Sequence, residues 1–144
     1  MPTLSILIVN WNTRDLLLAC LASIREFPPS VPFETIVVDN ASADRSAEAV
    51  RSAFPEIKLI ESGRNTGYAA GNNLAFSEAC GEFLLTLNPD TEMRAGTLDA
   101  ALDALRRHPG SGAVGVRQIG NDGGVQSSVR GFPSLLGILG DVLG

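Results

Sequence analysis

The sequence predicts an α/β protein, a mostly parallel sheet flanked by helices, and three observations predict it. Short, almost continuous apolar runs rich in branched residues recur at residues 4–9, 35–38 and 83–87. Strands buried on both faces of a parallel sheet read this way, whereas half-exposed strands alternate. Between these runs lie helix-length stretches whose apolar residues return at helical spacing. Finally, polar clusters follow the runs directly: Asn10-Trp11-Asn12, Asp39-Asn40 and Asn88-Pro89-Asp90. Right-handed crossovers bring the carboxyl ends of such strands to one edge, and ligands bind there.

Each element has its own justification. Residues 4–9 (Leu-Ser-Ile-Leu-Ile-Val) form the first strand. Leu17, Cys20, Leu21 and Ile24 mark the first helix, which Pro28-Pro29 stops. Residues 35–38 are the second strand. Asp44 or Ser42 is placed to cap a helix carrying Ala47, Val50 and Phe54, with Pro55 at its end. Residues 57–60 are the third strand, and a polar loop at 62–67 opens a helix over 68–80 that Gly81 closes. The fourth strand is 83–87. Leu98, Ala101, Leu102 and Leu105 give the last helix an i, i+3, i+4, i+7 stripe, closed by Pro109-Gly110. Residues 113–116 read as a fifth strand, and Asn121-Asp122-Gly123-Gly124 as a tight turn between extended arms.

A length of 144 residues suits one such domain. Apolar residues at 44% and charged residues at 19% exclude a disordered chain. A net charge of -5 argues against a nucleic-acid partner; an acidic protein that holds an anion does so with local donors and a cation. Cys20 and Cys80 both fall in segments read as helix, so both are expected as buried free thiols. Their spacing offers neither a zinc site nor a disulfide framework, and a reducing cytoplasm fits. The start of the chain runs straight into a strand without a leader pattern. No apolar run approaches the ~20 residues needed to cross a bilayer.

Three groups of residues carry candidate chemistry, each with a plainer alternative. Asp39 at a strand end is placed to accept a hydrogen bond from a nucleobase N–H or a ribose hydroxyl, or else to cap a helix. Asn88-Pro89-Asp90-Thr91 presents two oxygen-bearing side chains around a rigid residue. On extended backbone they point the same way and suit Mg²⁺ or Mn²⁺, hard cations that take few protein ligands. The alternative there is a turn followed by a helix cap. Residues 64–73 (Arg-Asn-Thr-Gly-Tyr-Ala-Ala-Gly-Asn-Asn) open a helix where backbone N–H groups and the dipole favour an anion. Gly67 and Gly71 serve either that loop or helix packing. The segment has neither the G-x-G-x-x-G nor the Walker spacing, which argues against dinucleotide binding and P-loop chemistry.

Four segments taken together, residues 5–12, 36–44, 65–73 and 87–91, resemble glycosyltransferase family 2 in order and interval, closest to its rhamnosyltransferase-like branch. The resemblance runs from about Thr3 to Pro133. It implies a GT-A (Rossmann-like) fold and inverting transfer of a sugar from a nucleoside diphosphate to an acceptor hydroxyl. It also implies that Val9, Asn10 and Asn12 line the base and ribose pocket and that Asp39 holds base or ribose. Asn65, Gly67 and Asn73 would border the diphosphate and donor sugar. Asp90 matches the last carboxylate of the family's D-x-D metal motif for Mg²⁺ or Mn²⁺. Asn88 stands where many members have Asp, and so would position water or diphosphate.

One departure qualifies the match. The family's catalytic base is an acidic residue in a later acidic cluster, and after Asp122 this sequence has only Asp141. Residues 1–131 are therefore expected to be the nucleotide-sugar-binding half, with 132–144 an apolar tail leading toward an acceptor region, self-association or a membrane surface. Expected partners are a nucleoside-diphosphate sugar and a glycan or lipid-linked acceptor, at the cytoplasmic face of the membrane. A non-catalytic nucleotide-sugar-binding module is the alternative. A sugar-phosphate nucleotidyltransferase would need a Gly-rich basic loop where Asn10-Trp11-Asn12-Thr13-Arg14 stands.

Overall fold

The computed structural model describes residues 1–120 and 122–126. Within the unit Met1–Gly112, strands and helices alternate: β1 (Leu4–Asn10), α1 (Arg14–Glu26), β2 (Phe33–Asp39), α2 (Ser46–Ala53), β3 (Lys58–Glu61), α3 (Tyr68–Ser77), β4 (Phe83–Leu87) and α4 (Thr97–Arg107). The strands form one sheet in the order β3-β2-β1-β4, every pair parallel. The register sets Asn10 opposite Asp39, and Asp39 opposite Glu61.

Period-two alternation sorts the apolar residues of β1 onto the two faces. All seven residues of β1 are buried. Leu4, Ile6 and Ile8 join Val37 and Leu87 in a cluster with Leu17 and Leu21 of α1, Val50 of α2, and Leu98 and Leu102 of α4. Leu7 and Val9 join Ile36 and Val38 against Ala75 of α3. The sheet thus has α1, α2 and α4 on one face and α3 on the other, and each fully buried aliphatic side chain contributes about 1.5–3 kcal/mol.

The structure corrects several expectations. Helix α3 ends at Ser77, three residues short of the predicted end, and Gly81 is not its left-handed stop. A Cβ on Gly81 would lie 2.5 Å from the Ser5 backbone nitrogen, so the glycine permits close approach to β1. Cys20 is buried, but Cys80 is exposed and outside the helix. Neither Asp44 nor Ser42 is the N-cap of α2. That place belongs to Arg45 in a left-handed conformation (φ 64°), and Asp44 instead accepts a hydrogen bond from the Ser46 N–H at 3.0 Å.

In the second unit, residues 113–116 are exposed and form no strand. A strand is stabilised by its ladder partner, and this run, interrupted by Gly115, has none among the described residues. What forms is a short antiparallel pair, β5 (Gln118–Ile119) with β6 (Val125–Gln126). The expected turn is present at Asp122-Gly123-Gly124: Gly123 takes φ 79°, and the Asp122 carboxylate accepts the Gly124 N–H at 2.9 Å. Asn121 and residues 127–144, with the 131/132 boundary and the apolar tail, lie outside the described residues.

Candidate functional site

The chain runs outward from β1 through β2 to β3 and then returns to place β4 on the other side of β1. The carboxyl ends of β1 and β4 therefore flank a topological switch point, where open α/β sheets hold their ligands. Four loops meet this edge: those after β1, β2, β3 and β4.

The first two are laced together by buried polar groups. Asn10 is fully buried; its amide nitrogen donates to Asp39 Oδ1 at 3.0 Å and Ser42 Oγ at 3.1 Å, and its oxygen accepts the Thr13 hydroxyl at 2.7 Å. Asp39 is 4% exposed, and its second oxygen accepts the Ser42 N–H at 3.0 Å. Ser42 Oγ also accepts the Asn12 N–H, while the Asn12 side chain accepts the Ala43 N–H at 2.7 Å. Each bond matters because a buried polar group left unpaired costs roughly 1–3 kcal/mol. Asn12, Ala41 and Arg45, the three non-glycine residues with positive φ among those described, all lie in these two loops. Left-handed backbone of this kind persists only where surrounding bonds over-determine it.

Beneath the loops, one carboxylate ties two helices. Asp44 accepts the Arg14 N–H at the start of α1 at 2.8 Å and the Ser46 N–H at the start of α2. Slight burial opposes its charge, but bonds from the Ser46 hydroxyl and from these two N–H groups outweigh it and hold the Asp44 carboxyl below the usual carboxylate value.

The loop after β3 is tied to β2 by Asn40, which is 2% exposed and bonds Asn65, Thr66, Gly67 and Ser62. Gly67 stands at φ 84°, ψ 168°, a region open to glycine alone. Gly71 is the packing glycine: a Cβ there would meet Val9 Cγ1 at 2.7 Å. Asn73 is exposed on α3. After β4, Asn88 and Asp90 are both exposed, and the Thr91 N–H bonds the Asn88 carbonyl at 3.2 Å. This segment is therefore a turn, not the extended stretch expected, and Pro89 suits a turn because its φ is fixed.

The structure thus joins Asn10, Asn12 and Asp39 in one network and Asn65 with Gly67 in a second, while Val9 is a core residue touching α3. Asp90 stands on the opposite side of β1 from Asp39. Among the described residues no three His, Cys, Asp or Glu side chains converge to cage a metal. The exposed Asp90 carboxylate beside the Asn88 amide fits Mg²⁺ or Mn²⁺ of the kind that keeps several waters and is shared with phosphate oxygens. Burial, reinforced by the charges of Asp90 and Glu92, pushes the Cys20 thiol up to about 12, which leaves it inert. A groove of about 490 Å³ lined by Asn12, Thr13, Arg14, Asp15, Leu16 and Asp44 flanks α1, but neither Asp39 nor Asp90 lines it.

Sequence reasoning gave Asn40 and Trp11 no role beyond membership of the polar clusters and named Ser42 only as a helix cap, whereas Asn40 and Ser42 are the hubs of the two networks and Trp11 is 55% exposed between Asn10 and Asn12. The signal for Asn40 was its place in the polar pair Asp39-Asn40 that follows the apolar run of β2.

The profile of glycosyl transferase family 2 matches residues 5–137. The chain belongs to this family. It is 34% identical over 130 residues to an N-acetylglucosaminyl-diphospho-decaprenol L-rhamnosyltransferase of Mycobacterium tuberculosis, the match covering 83% of this chain and 41% of that protein. Among solved structures it resembles the mannosyltransferase PcManGT of Pyrobaculum calidifontis in complex with GDP-Man and Mn²⁺ (TM-score 0.65, 29% identity, 72% of this chain and 32% of that one). S. aureus TarS in complex with UDP-GlcNAc superposes with the same TM-score at 25% identity, over 74% of this chain and 32% of that one. The fold is the GT-A fold. The chain spans about two fifths of the rhamnosyltransferase and a third of these structures.

Proposed function

We propose that this family 2 chain is the donor-binding side of an inverting glycosyltransferase, which takes a sugar from a nucleoside diphosphate and passes it to an acceptor hydroxyl. The observation that supports this most is the common edge. A 3-2-1-4 parallel sheet delivers Asp39, the Asn65–Gly67 loop and Asp90 to the carboxyl ends of its strands, beside its switch point.

In this reading the nucleoside lies over β1 and β2. Asp39, held by Asn10 and Ser42, accepts from base or ribose, Asn12 and Val9 shape the pocket, and Trp11 offers a face for stacking. The diphosphate and donor sugar follow toward Asn65, Gly67 and Asn73 at the start of α3, whose N–H groups and dipole suit negative charge. Asp90, with Asn88 beside it, would hold Mg²⁺ or Mn²⁺; bound there, such an ion neutralises charge on the departing diphosphate. The acceptor hydroxyl attacks the anomeric carbon from the face opposite the diphosphate. Its C–O bond forms as the bond to the diphosphate breaks, and configuration inverts. Its proton passes to a carboxylate outside these residues, in keeping with relatives more than twice as long. The acceptor is a glycan or a lipid-linked sugar, as the rhamnosyltransferase relative suggests, handled at the cytoplasmic face of a membrane, and residues 132–144 supply surface contact or self-association. Among the described residues no helix is long and apolar enough to cross a membrane.

Calorimetry with UDP, GDP and dTDP, each in Mn²⁺ and in EDTA, tests the reading. At least one diphosphate should bind about tenfold or more tightly with Mn²⁺, and Asp90→Ala should abolish that difference. Equal affinities in Mn²⁺ and EDTA would remove the metal role, and no binding of any diphosphate would remove the whole reading.

A further inference from the structure

We infer that Asn40 is the positioning residue of the donor site, the joint through which the rigid end of β2 sets the loop that receives the diphosphate. The inference rests on the functional reading above and deepens it. Asn40 itself is 2% exposed, so it reaches a ligand only through what it holds.

Its amide makes five hydrogen bonds, all to one loop. The oxygen accepts from Ser62 Oγ at 3.1 Å, from the Thr66 N–H at 3.0 Å and from Thr66 Oγ1 at 3.3 Å. The nitrogen donates to Asn65 Oδ1 at 3.0 Å and to the Gly67 carbonyl at 3.3 Å. Asn65 Oδ1 in turn accepts the Gly67 N–H at 2.9 Å, so the two asparagines bracket both polar groups of Gly67. On its other side, the Asn40 backbone N–H bonds the Asn10 carbonyl at 2.8 Å, fixing it to the end of β1.

This arrangement is more than a turn needs. Residues 63–70 are all exposed, so apolar packing does little to fix the loop. Gly67 takes a backbone conformation open to glycine alone, one of several that glycine adopts readily, so bonds must select it. Asn40 supplies that selection from the end of β2. The amide chemistry is specific: only a group with two N–H donors and an oxygen acceptor side by side can hold Asn65 and Gly67 while accepting from Thr66. The consequence is a division of labour. Asp39 fixes the nucleoside end, and Asn40, the next residue, fixes the loop one phosphate group further along.

Calorimetry in Mn²⁺ on the full chain, with the pairs UMP/UDP, GMP/GDP and dTMP/dTDP, tests this. For the nucleoside that the unaltered chain binds, Asn40→Ala should weaken the diphosphate about tenfold while changing the monophosphate less than about twofold. Equal losses for both would make Asn40 a general prop of the fold, and no loss would make the loop self-sufficient; either overturns the inference. If the unaltered chain binds none of the six, the functional reading fails first and the inference falls with it. Should Asn40→Ala not fold, Asn40→Ser keeps a small uncharged polar group and removes the paired N–H donations to Asn65 and Gly67. Its diphosphate loss should again exceed its monophosphate loss about fivefold, and equal losses would overturn the inference.

Discussion

Asp44 shows how much one side chain can do at this edge. Its two oxygens hold the first amides of α1 and α2, and the loops after β1 and β2 hang from those two helix starts. A negative charge at a helix N-terminus is favourable, and here it serves two helices at once. Because bonding depresses its folded-state pKa, Asp44 contributes stability above the unfolded carboxylate value of ~4 and loses it as pH falls further. Asp44→Asn should therefore cost roughly 1 kcal/mol near neutral pH, a capping-sized loss for a partly exposed group. Thermal melts of both proteins from pH 7 to pH 2.5 should show a constant gap down to about pH 5 that closes below pH ~4. A gap independent of pH would mean the charge is immaterial. Asp39, by contrast, resides in a network that the sequence could not display. Its place after an apolar strand was legible, but the bond it accepts from Asn10 joins residues far apart in the chain.

At the scale of elements, the strands were legible because apolar residues run almost unbroken through β1, β2 and β4, although burial is complete only along β1 and one row of β4, Leu84 and Thr86, is exposed. Helix ends were less so, and Gly81 shows why. In a sequence, a glycine that permits positive φ looks the same as one that makes room for another chain. Gly81 does the latter: the Ser5 hydroxyl accepts its N–H at 2.8 Å and donates to Glu34 at 2.6 Å, and Glu34 also accepts the Cys80 N–H. The α3–β4 connection is thus pinned at the amino end of the sheet, opposite the ligand edge. A methyl group on Gly81 would strike Ser5 backbone, which cannot rotate away. Gly81→Ala should destabilise by about 1–3 kcal/mol, the usual cost of overpacking, read as a lower denaturation midpoint with nucleotide affinity little changed in the folded fraction. An unchanged midpoint would show that the connection yields easily. The turn at Asn88-Pro89-Asp90 was misjudged for a related reason. Pro89 restricts Asn88, yet a turn satisfies that restriction as well as an extended strand does.

For the molecule as a whole, the predicted fifth strand at 113–116 failed because strand propensity is realised only against a partner. The same comparison separates two kinds of structure within the chain. The sheet, both apolar clusters and every candidate site residue lie in Met1–Gly112. The β5–β6 pair, in the unit Ala113–Gly144, is two residues on each side and exposed throughout, with Val125 63% exposed. A two-stranded pair of this length is marginal on its own and brings little apolar burial. Folding free energy and donor binding should therefore both reside in the first 112 residues. A protein ending at Gly112 should melt in one cooperative transition and bind the best diphosphate of the Mn²⁺ series within about threefold of the full chain, well under the tenfold that corresponds to ~1.4 kcal/mol. If it melts without cooperativity, segments after Gly112 complete the core. If it melts normally but no longer binds, those segments complete the donor pocket, and the edge formed by β1, β2 and β4 is insufficient by itself.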